Sequence, residues 1–244
     1  MAGLFVMKGM EVHLTDFTIS VDESGRTHSS ISLAVALDVW PMWLDVAIEH
    51  AQTAQMARLE LEAASGKGRE GADPSLLADL MTQECRASLV AISAAAFALD
   101  NFHTHALLKL PGADELKRQW RNKTARHRRV NEVLRRLIRP TNPGSAELQS
   151  AVSGIFGLRD LAVHAPAAYR DPVTHDLLKQ PVEWRLAQYT GRQANTAAYS
   201  ATGVIWQACH NDHPCSPDLD RWCAARRERV QERLDRATRL EPRN

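Results

Sequence analysis

The sequence contains little cysteine and no long apolar run. Its 244 residues include only four cysteines, Cys85, Cys209, Cys215 and Cys223, which are too few and too unevenly spaced for the disulfide framework of a secreted protein. No stretch approaches the roughly 18 apolar residues that cross a bilayer, and Lys8 follows the short apolar segment at the N-terminus, so we expect neither a signal peptide nor a spanning helix. The sequence therefore predicts a cytoplasmic protein with no membrane partner.

An excess of one sign of charge is also missing. The chain has 30 Lys plus Arg against 29 Asp plus Glu, for a net charge of +1, so its overall charge gives no reason to expect a nucleic-acid partner, and any polyanion site must come from local asymmetry. Hydrophobic residues make up 44% and charged residues 24% of the chain. This composition is typical of a globular protein with one large domain or two small ones.

The first forty residues have the two-residue period of β-strands. Apolar and polar residues alternate over 17–21 and again over 31–37, and the segment 22–25 between them, Asp-Glu-Ser-Gly, has turn-forming residues. We expect a β-hairpin. Val12 and Leu14 are out of phase with the later alternation, so the first strand is expected to bulge or to start late.

After position 40 the period changes to three and four residues, which is typical of amphipathic helices. The pattern predicts helices over 43–65, 75–110, 113–139, 145–164, 192–210 and 217–237, with a strand over 182–189. We therefore predict a mainly α fold: a bundle of about five to six helices with a small N-terminal β-hairpin. The expected organisation is a hairpin at 1–40 that is part of the main domain, a helical core at 41–170, and a C-terminal strand and helical extension at 171–244 packed on that core.

The most informative motif is Arg159-Asp160-Leu161-Ala162-Val163-His164, at the end of the fourth predicted helix. A guanidinium can hold a phosphate, and an imidazole can accept and donate protons near neutral pH, so the pair suits metal-free cleavage of RNA. A second copy of the spacing, Arg170 to His175, contains Pro172 and is expected in a loop. On a regular helix, residues five apart lie about 140° apart. For both side chains to contact one phosphate, the long Arg159 side chain must swing round the helix, the helix end must be distorted, or a second copy of the chain must supply one of the two groups.

Polar residues also interrupt the second predicted helix near its C-terminal side. Asp100, Asn101, His103 and His105 follow a segment that is almost uncharged. They either face a functional cleft or form a solvated helix end whose imidazoles interact favourably with the helix dipole.

The third predicted helix carries a strong local excess of positive charge. Ten Lys and Arg residues over 117–139 face only a few acidic ones, and such a cluster can neutralise backbone phosphates, although a charge run can equally be an ordinary solvated face. The candidate RNA-binding residues are Arg118, Arg121, Arg126, Arg128 and Arg129.

A Cys and His cluster near the C-terminus offers an alternative site. Cys209, His213, Cys215 and Cys223 are all possible zinc ligands within fifteen residues. Their spacing matches no common paired zinc motif, so buried thiols without a metal are the other interpretation.

The motif at 159–164, together with the small-residue helix 91–103, resembles the HEPN (higher eukaryotes and prokaryotes nucleotide-binding) domains. The resemblance covers about 43–170 and implies a helical bundle, often a homodimer, that cleaves RNA by transesterification of the 2′-hydroxyl and needs no metal or other cofactor. It implies proton transfer by His164, phosphate contact by Arg159, and orientation by Asp160 or Asp100. Family members include toxins and defence nucleases, which implies an antitoxin or regulatory partner. A non-catalytic module that binds nucleotides or protein is the alternative.

Overall fold

The computed structural model describes residues 5–6, 9–66, 73–120, 124–164 and 170–240. Two strands come first and helices follow, as the sequence pattern predicts. The strands are β1 (Met10–Val21), β2 (Thr27–Leu37), β3 (Val173–Thr174) and β4 (Pro181–Val182). The helices are α1 (Trp40–Ser65), α2 (Pro74–Lys109), α3 (Ala113–Gln119), α4 (Arg126–Ile138), α5 (Asn142–Val163), α6 (Trp184–Gln188), α7 (Gly191–His210), α8 (Pro217–Ala224) and α9 (Arg227–Thr238). The mainly helical fold class with an N-terminal hairpin is confirmed.

The hairpin β1–β2 belongs to one compact unit, Met1–Val39. Its turn is built around Asp22, whose carboxylate accepts hydrogen bonds from the backbone N–H of Ser24 at 2.9 Å and of Arg26 at 3.0 Å. Gly25 completes the turn at a positive φ of 79°, which a residue without Cβ adopts at little cost. The pairing shifts register between Leu14 and Asp16, which confirms the predicted bulge.

The helical unit, Trp40–Asn244, has its core between α1, α2 and α7. The stripe of α1 that repeats every three to four residues, from Trp40 to Leu61, is buried at nearly every position. The centre of α2 is buried around most of its circumference because α1, α4, α5 and α7 all pack on it. Its many alanines let these helices approach closely.

Gly191, the first residue of α7, shows how close that approach is. A Cβ on Gly191 would lie 2.9 Å from the carbonyl oxygen of Ala54 and 3.0 Å from the Cα of Gln55, both in α1. These are backbone atoms that cannot swing aside, so the crossing of α1 and α7 requires glycine at this position.

The single helix predicted over 113–139 is wrong, because α3 ends at Gln119 and α4 begins at Arg126. Trp120 leaves the helix with an extended backbone, and its ring lies 6.1 Å from that of His103 and 5.7 Å from the guanidinium of Arg129. These tertiary contacts of the indole accompany a break that helical periodicity alone does not predict.

The strand predicted over 182–189 is also wrong beyond Val182. The Glu183 side chain accepts a hydrogen bond from the Arg185 backbone N–H at 2.8 Å and so caps the start of α6. The helix predicted over 217–237 is broken between Ala224 and Arg227, where the Arg226 guanidinium turns onto the Trp222 ring at 4.3 Å.

By length and composition, α2 is the one helix among the described residues that could cross a membrane. Of its most apolar 18-residue window, 61% is buried against the rest of the protein. The core helix of a bundle has the same character.

Candidate active site

The motif at 159–164 occupies the last turns of α5. Pro143 in the first turn fits the start of the helix, because the backbone N–H that proline lacks would have no helical partner there. The helix remains regular to Val163, and the His164 backbone N–H still donates to the Asp160 carbonyl at 2.8 Å. His164 then leaves the helical conformation, with φ −116° and ψ 43°, and is exposed. Its imidazole is therefore accessible from solution.

The Arg159 side chain lies against the end of α5 and is largely covered. Its side chain is only 20% exposed, and its guanidinium lies 5.1 Å from the centre of the Phe156 ring. One guanidinium nitrogen is 2.7 Å from the Asp160 carboxylate, whereas its buried Nε has no hydrogen-bond partner within the described residues. Since Asp160 is about half exposed, the ion pair is weak and an incoming phosphate can replace it.

Arg159 and His164 do not share a face of α5. The helix is regular as far as Val163, and five positions along a regular helix turn the side-chain direction by about 140°. The departure from helical geometry is at His164 itself, and among the described contacts none joins its ring to Arg159. Two copies of the chain, or a large movement of Arg159, would have to complete a shared site.

Asp100 lies on α2 and contacts α4 rather than the end of α5. Its carboxylate pairs with Arg126, and Arg126 also donates to the Thr104 hydroxyl at 3.3 Å. Among the described contacts, none joins Asp100 to Arg159 or His164. Of the two carboxylates proposed to orient Arg159 and His164, only Asp160 contacts one of them, Arg159, among the described contacts.

The basic residues of 118–129 are partly neutralised. Arg118 pairs with Glu115 at 2.7 Å, and Arg126 pairs with Asp100. Arg129 lies over the Trp120 ring and donates from Nε to the Thr124 carbonyl at 3.1 Å, whereas Arg128 is exposed. The remaining candidate, Arg121, lies outside the described residues. The break between α3 and α4 therefore divides these residues, and they do not form one face of a continuous helix.

The second copy of the spacing lies outside the helices, as its proline predicts. Arg170 is exposed and its guanidinium lies 4.4 Å from the Trp184 ring. His175 is fully buried, and its Nδ1 accepts from the backbone N–H groups of Leu177 and Leu178 at 3.3 Å each. Burial lowers the pKa of His175 below its ordinary value. This copy is structural, which makes it an internal control for the first.

The Cys and His cluster does not assemble as a metal site. Cys209 and Cys223 are buried, whereas Cys215 is exposed, and the Nε2 of His213 lies 2.9 Å from the Ala208 carbonyl. The neighbouring Cys223 thiol and burial together raise the pKa of Cys209, which favours the neutral form of the Cys209 thiol. Across the part of the chain that the structure describes, no three Cys, His, Asp or Glu side chains are grouped to hold a metal ion.

A buried ion-pair network was missed by the sequence analysis. Arg58 of α1 lies 3.2 Å from Glu84 of α2 and also pairs with Asp176, while Glu84 accepts from the Gly191 backbone N–H at 2.8 Å. Burial disfavours the Arg58 charge, but the two carboxylates outweigh it and raise its pKa. The sequence feature that indicates this network is Arg58, because a charged residue occupies a position in the otherwise apolar stripe of α1.

Two clefts of about 520 and 670 Å³ lie elsewhere on the helical unit. The smaller runs between α5 and α7 beside Gly144 and Gly203, and the larger lies beside Arg58, Arg192 and Asn195. Neither is lined by Arg159 or His164. The described end of α5 therefore forms no part of the wall of these two clefts.

His103, one of the polar residues that interrupt α2, predicts a pH-dependent stability. Its side chain is buried, and burial, followed by the charge of Arg126, lowers its pKa from 6.5 to about 4. Between these values the unfolded chain binds a proton that the folded protein does not, so stability falls as the pH drops from about 6.5 to 4, by roughly 3 kcal/mol.

We expect His103→Phe to remove this part of the pH dependence in urea unfolding at pH 7.5 and 4.5. The comparison at pH 7.5, where the imidazole is neutral in both states, isolates the packing cost of the substitution. An equal loss of stability at pH 4.5 in both proteins would contradict the prediction.

Comparison with known protein families, with curated proteins and with solved structures finds no match to this chain. The candidate site therefore rests on the residues and geometry described above.

Proposed function

We propose that the protein is a metal-independent endoribonuclease whose reacting groups are Arg159 and His164. The observation that carries the proposal is the end of α5, where an exposed imidazole follows a guanidinium held by an aromatic ring and an exchangeable carboxylate. These are the groups that cleavage of RNA through its own 2′-hydroxyl requires. The resemblance of this motif to the HEPN ribonucleases points to the same chemistry.

The reaction forms one bond and breaks one. The ribose 2′-oxygen attacks phosphorus, a base removes its proton, and the 5′-oxygen leaves with a proton from an acid, which gives a 2′,3′-cyclic phosphate and a 5′-hydroxyl. His164 serves as the base or the acid. Arg159 stabilises the negative charge that develops on the phosphate oxygens. Asp160 holds the guanidinium until the phosphate arrives.

Because Arg159 and His164 diverge by about 140° on one helix, the proposal includes a homodimer. A two-fold axis near the two α5 ends would let Arg159 of one copy and His164 of the other address the same phosphate. In this arrangement the exposed Arg128 and its basic neighbours, Arg118, Arg126 and Arg129, would hold flanking RNA backbone.

A non-catalytic binding module is the second candidate. The same divergence favours it, because a single copy brings no acid–base group to the phosphate that Arg159 would hold. Such a module would bind RNA, nucleotides or a regulatory partner without breaking a bond.

The test is RNA cleavage by the purified protein in EDTA. We expect cleavage of total cellular RNA and of synthetic hairpins to continue without divalent cations and to leave 2′,3′-cyclic phosphate ends. The matched control is the same hairpin RNA with 2′-O-methyl groups, which retains its phosphates but has no free 2′-hydroxyl and should remain intact. Binding of both RNAs without cleavage of either would support the module, and cleavage of the methylated RNA would contradict the mechanism.

A further inference from the structure

One face of the hairpin β1–β2 is exposed and is apolar along β1 and along the part of β2 that starts at Ile31. The register pairs Leu14 with Leu33 and Phe17 with Ile31, and the residues two positions away on each strand share this face. We name the following set the ribbon face: Val12, Leu14, Phe17, Ile19, Val21, Ile31, Leu33 and Val35. Each of these side chains is between 39% and 65% exposed.

The bulge at Thr15 is what makes the ribbon face continuous. A regular strand would place Leu14 and Phe17 on opposite faces, because side chains alternate. The extra residue shifts the register between Leu14 and Asp16, and the Thr15 hydroxyl donates to the Ser32 carbonyl at 3.0 Å. The apolar residues on both sides of the bulge therefore lie on one face.

The opposite face has a different character. Thr18 pairs with Ser30, and Ser20 pairs with His28, so that face is hydroxyl-rich and suited to water. The difference between the faces shows that only one of them requires a cover.

A two-stranded hairpin is at best marginally stable in water unless its apolar face is packed against something. Eight side chains at about half exposure present on the order of 700 Å² of apolar surface, more than the largest patch on most monomers. The hairpin is a compact unit of its own within Met1–Val39, so its stability depends on what covers this face.

We propose that the ribbon face packs against the ribbon face of a second copy of this chain. Two such faces would bury roughly 1,400 Å² in total, within the range of specific protein interfaces. The face has no charged side chain, so two copies meet without repulsion between like charges. The four strands would form two layers about 10 Å apart, as in a β-sandwich.

The distribution of side chains along the ribbon agrees with a two-fold arrangement. Phe17 and Ile31 form the middle pair, the base beyond them is apolar on both strands, and the tip carries Ser29 and Thr27 opposite Ile19 and Val21. An axis through the middle pair places the fully apolar base of each copy over the mixed tip of the other. The apolar base of each copy therefore covers the partly polar tip of the other copy, once on each side of the axis.

The test compares Ile31→Lys with Ser30→Lys in the full-length protein. The two positions are adjacent, so both variants add the same charge to the same strand, but on opposite faces. In sedimentation velocity at 1–100 μM we expect the wild-type protein and Ser30→Lys to be dimers, and the dissociation constant of Ile31→Lys to rise at least 100-fold. A wild-type monomer at 100 μM, or an Ile31→Lys dimer as tight as the wild type, would overturn the proposal.

A second measurement locates the interface directly. In a Cys215→Ser background, which removes the exposed thiol, Phe17→Cys should be crosslinked between copies by a bismaleimide of about 10 Å reach, since that is the spacing of stacked sheets. Thr18→Cys, on the opposite face, should not. Equal crosslinking of both variants would contradict face-to-face packing. An Ile31→Lys dimer as tight as the wild type, or equal crosslinking of both variants, would overturn the ribbon-face packing and leave the ribonuclease proposal untouched. A wild-type monomer would also contradict the dimer that the ribonuclease proposal includes, and the RNA cleavage assay then tests the chemistry separately.

Discussion

Replacing His164 with alanine should lower the rate of RNA cleavage by a factor of about 10² to 10⁴, the usual contribution of a general acid or base. His164 is exposed at the end of α5, and none of the described hydrogen bonds uses its ring. We therefore expect the melting temperature of His164→Ala to equal that of the wild-type protein. Measuring cleavage and melting temperature on one preparation separates a lost reacting group from a lost fold.

Arg159→Ala should cause a comparable loss, and Arg159→Lys should recover only part of it, because an ammonium cannot present the two parallel donors of a guanidinium to a phosphate. The chain supplies its own matched control in Arg170→Ala. Arg170 has the same spacing to His175, but that histidine is fully buried, so this variant should cleave RNA at the wild-type rate. Undiminished cleavage by His164→Ala would exclude the proposed role of the imidazole.

The ion pair inside the helical unit should have the largest effect on stability. Arg58→Met is expected to lower the free energy of unfolding by about 3–5 kcal/mol, because it leaves the Glu84 carboxylate buried without its cation. Glu84 is only 1% exposed. For a protein of this size, each kcal/mol corresponds to a decrease of about 2–4 °C in melting temperature, which differential scanning calorimetry measures readily.

Two further variants give that experiment its controls. Arg118→Met removes an ion pair with Glu115 whose partners are mostly exposed, so its cost should stay below about 1 kcal/mol. Arg58→Met combined with Glu84→Gln should recover part of the lost stability, because a neutral amide can still accept from the Gly191 backbone N–H. If Arg58→Met alone changes the unfolding free energy by less than about 1 kcal/mol, the buried pair does not stabilise the contact between α1 and α2.

The sequence predicted what depends on local pattern. The two-residue alternation before position 40 and the three-to-four-residue period after it are direct consequences of strand and helix geometry, so the hairpin, its bulge, and the long helices α1, α2, α5 and α7 follow from it. Pro172 acts on its own segment, 170–175, so the position of that segment outside the helices was predictable for the same reason.

The incorrect predictions lie where a tertiary contact overrides the local pattern. Helical periodicity continues through Trp120, but the indole ring lies against His103 and Arg129, and the helix breaks. The residues after Val182 alternate like a strand, yet the Glu183 side chain caps a short helix. Asp100 and Arg159 belong to different helices. Asp100 pairs instead with Arg126, and the local sequence pattern does not predict this contact between α2 and α4.

The residues alone thus determined the fold class and the end of α5 on which Arg159 and His164 lie, since both depend on side chains a few positions apart. Only the packed structure decided that Arg58 and Glu84 meet in the core, that Cys209 and Cys223 are buried thiols with no third metal-binding side chain grouped with them within the described residues, and that the ribbon face is left exposed. These features join residues far apart in the chain, and the free energy of burial that selects them depends on which surfaces meet in space.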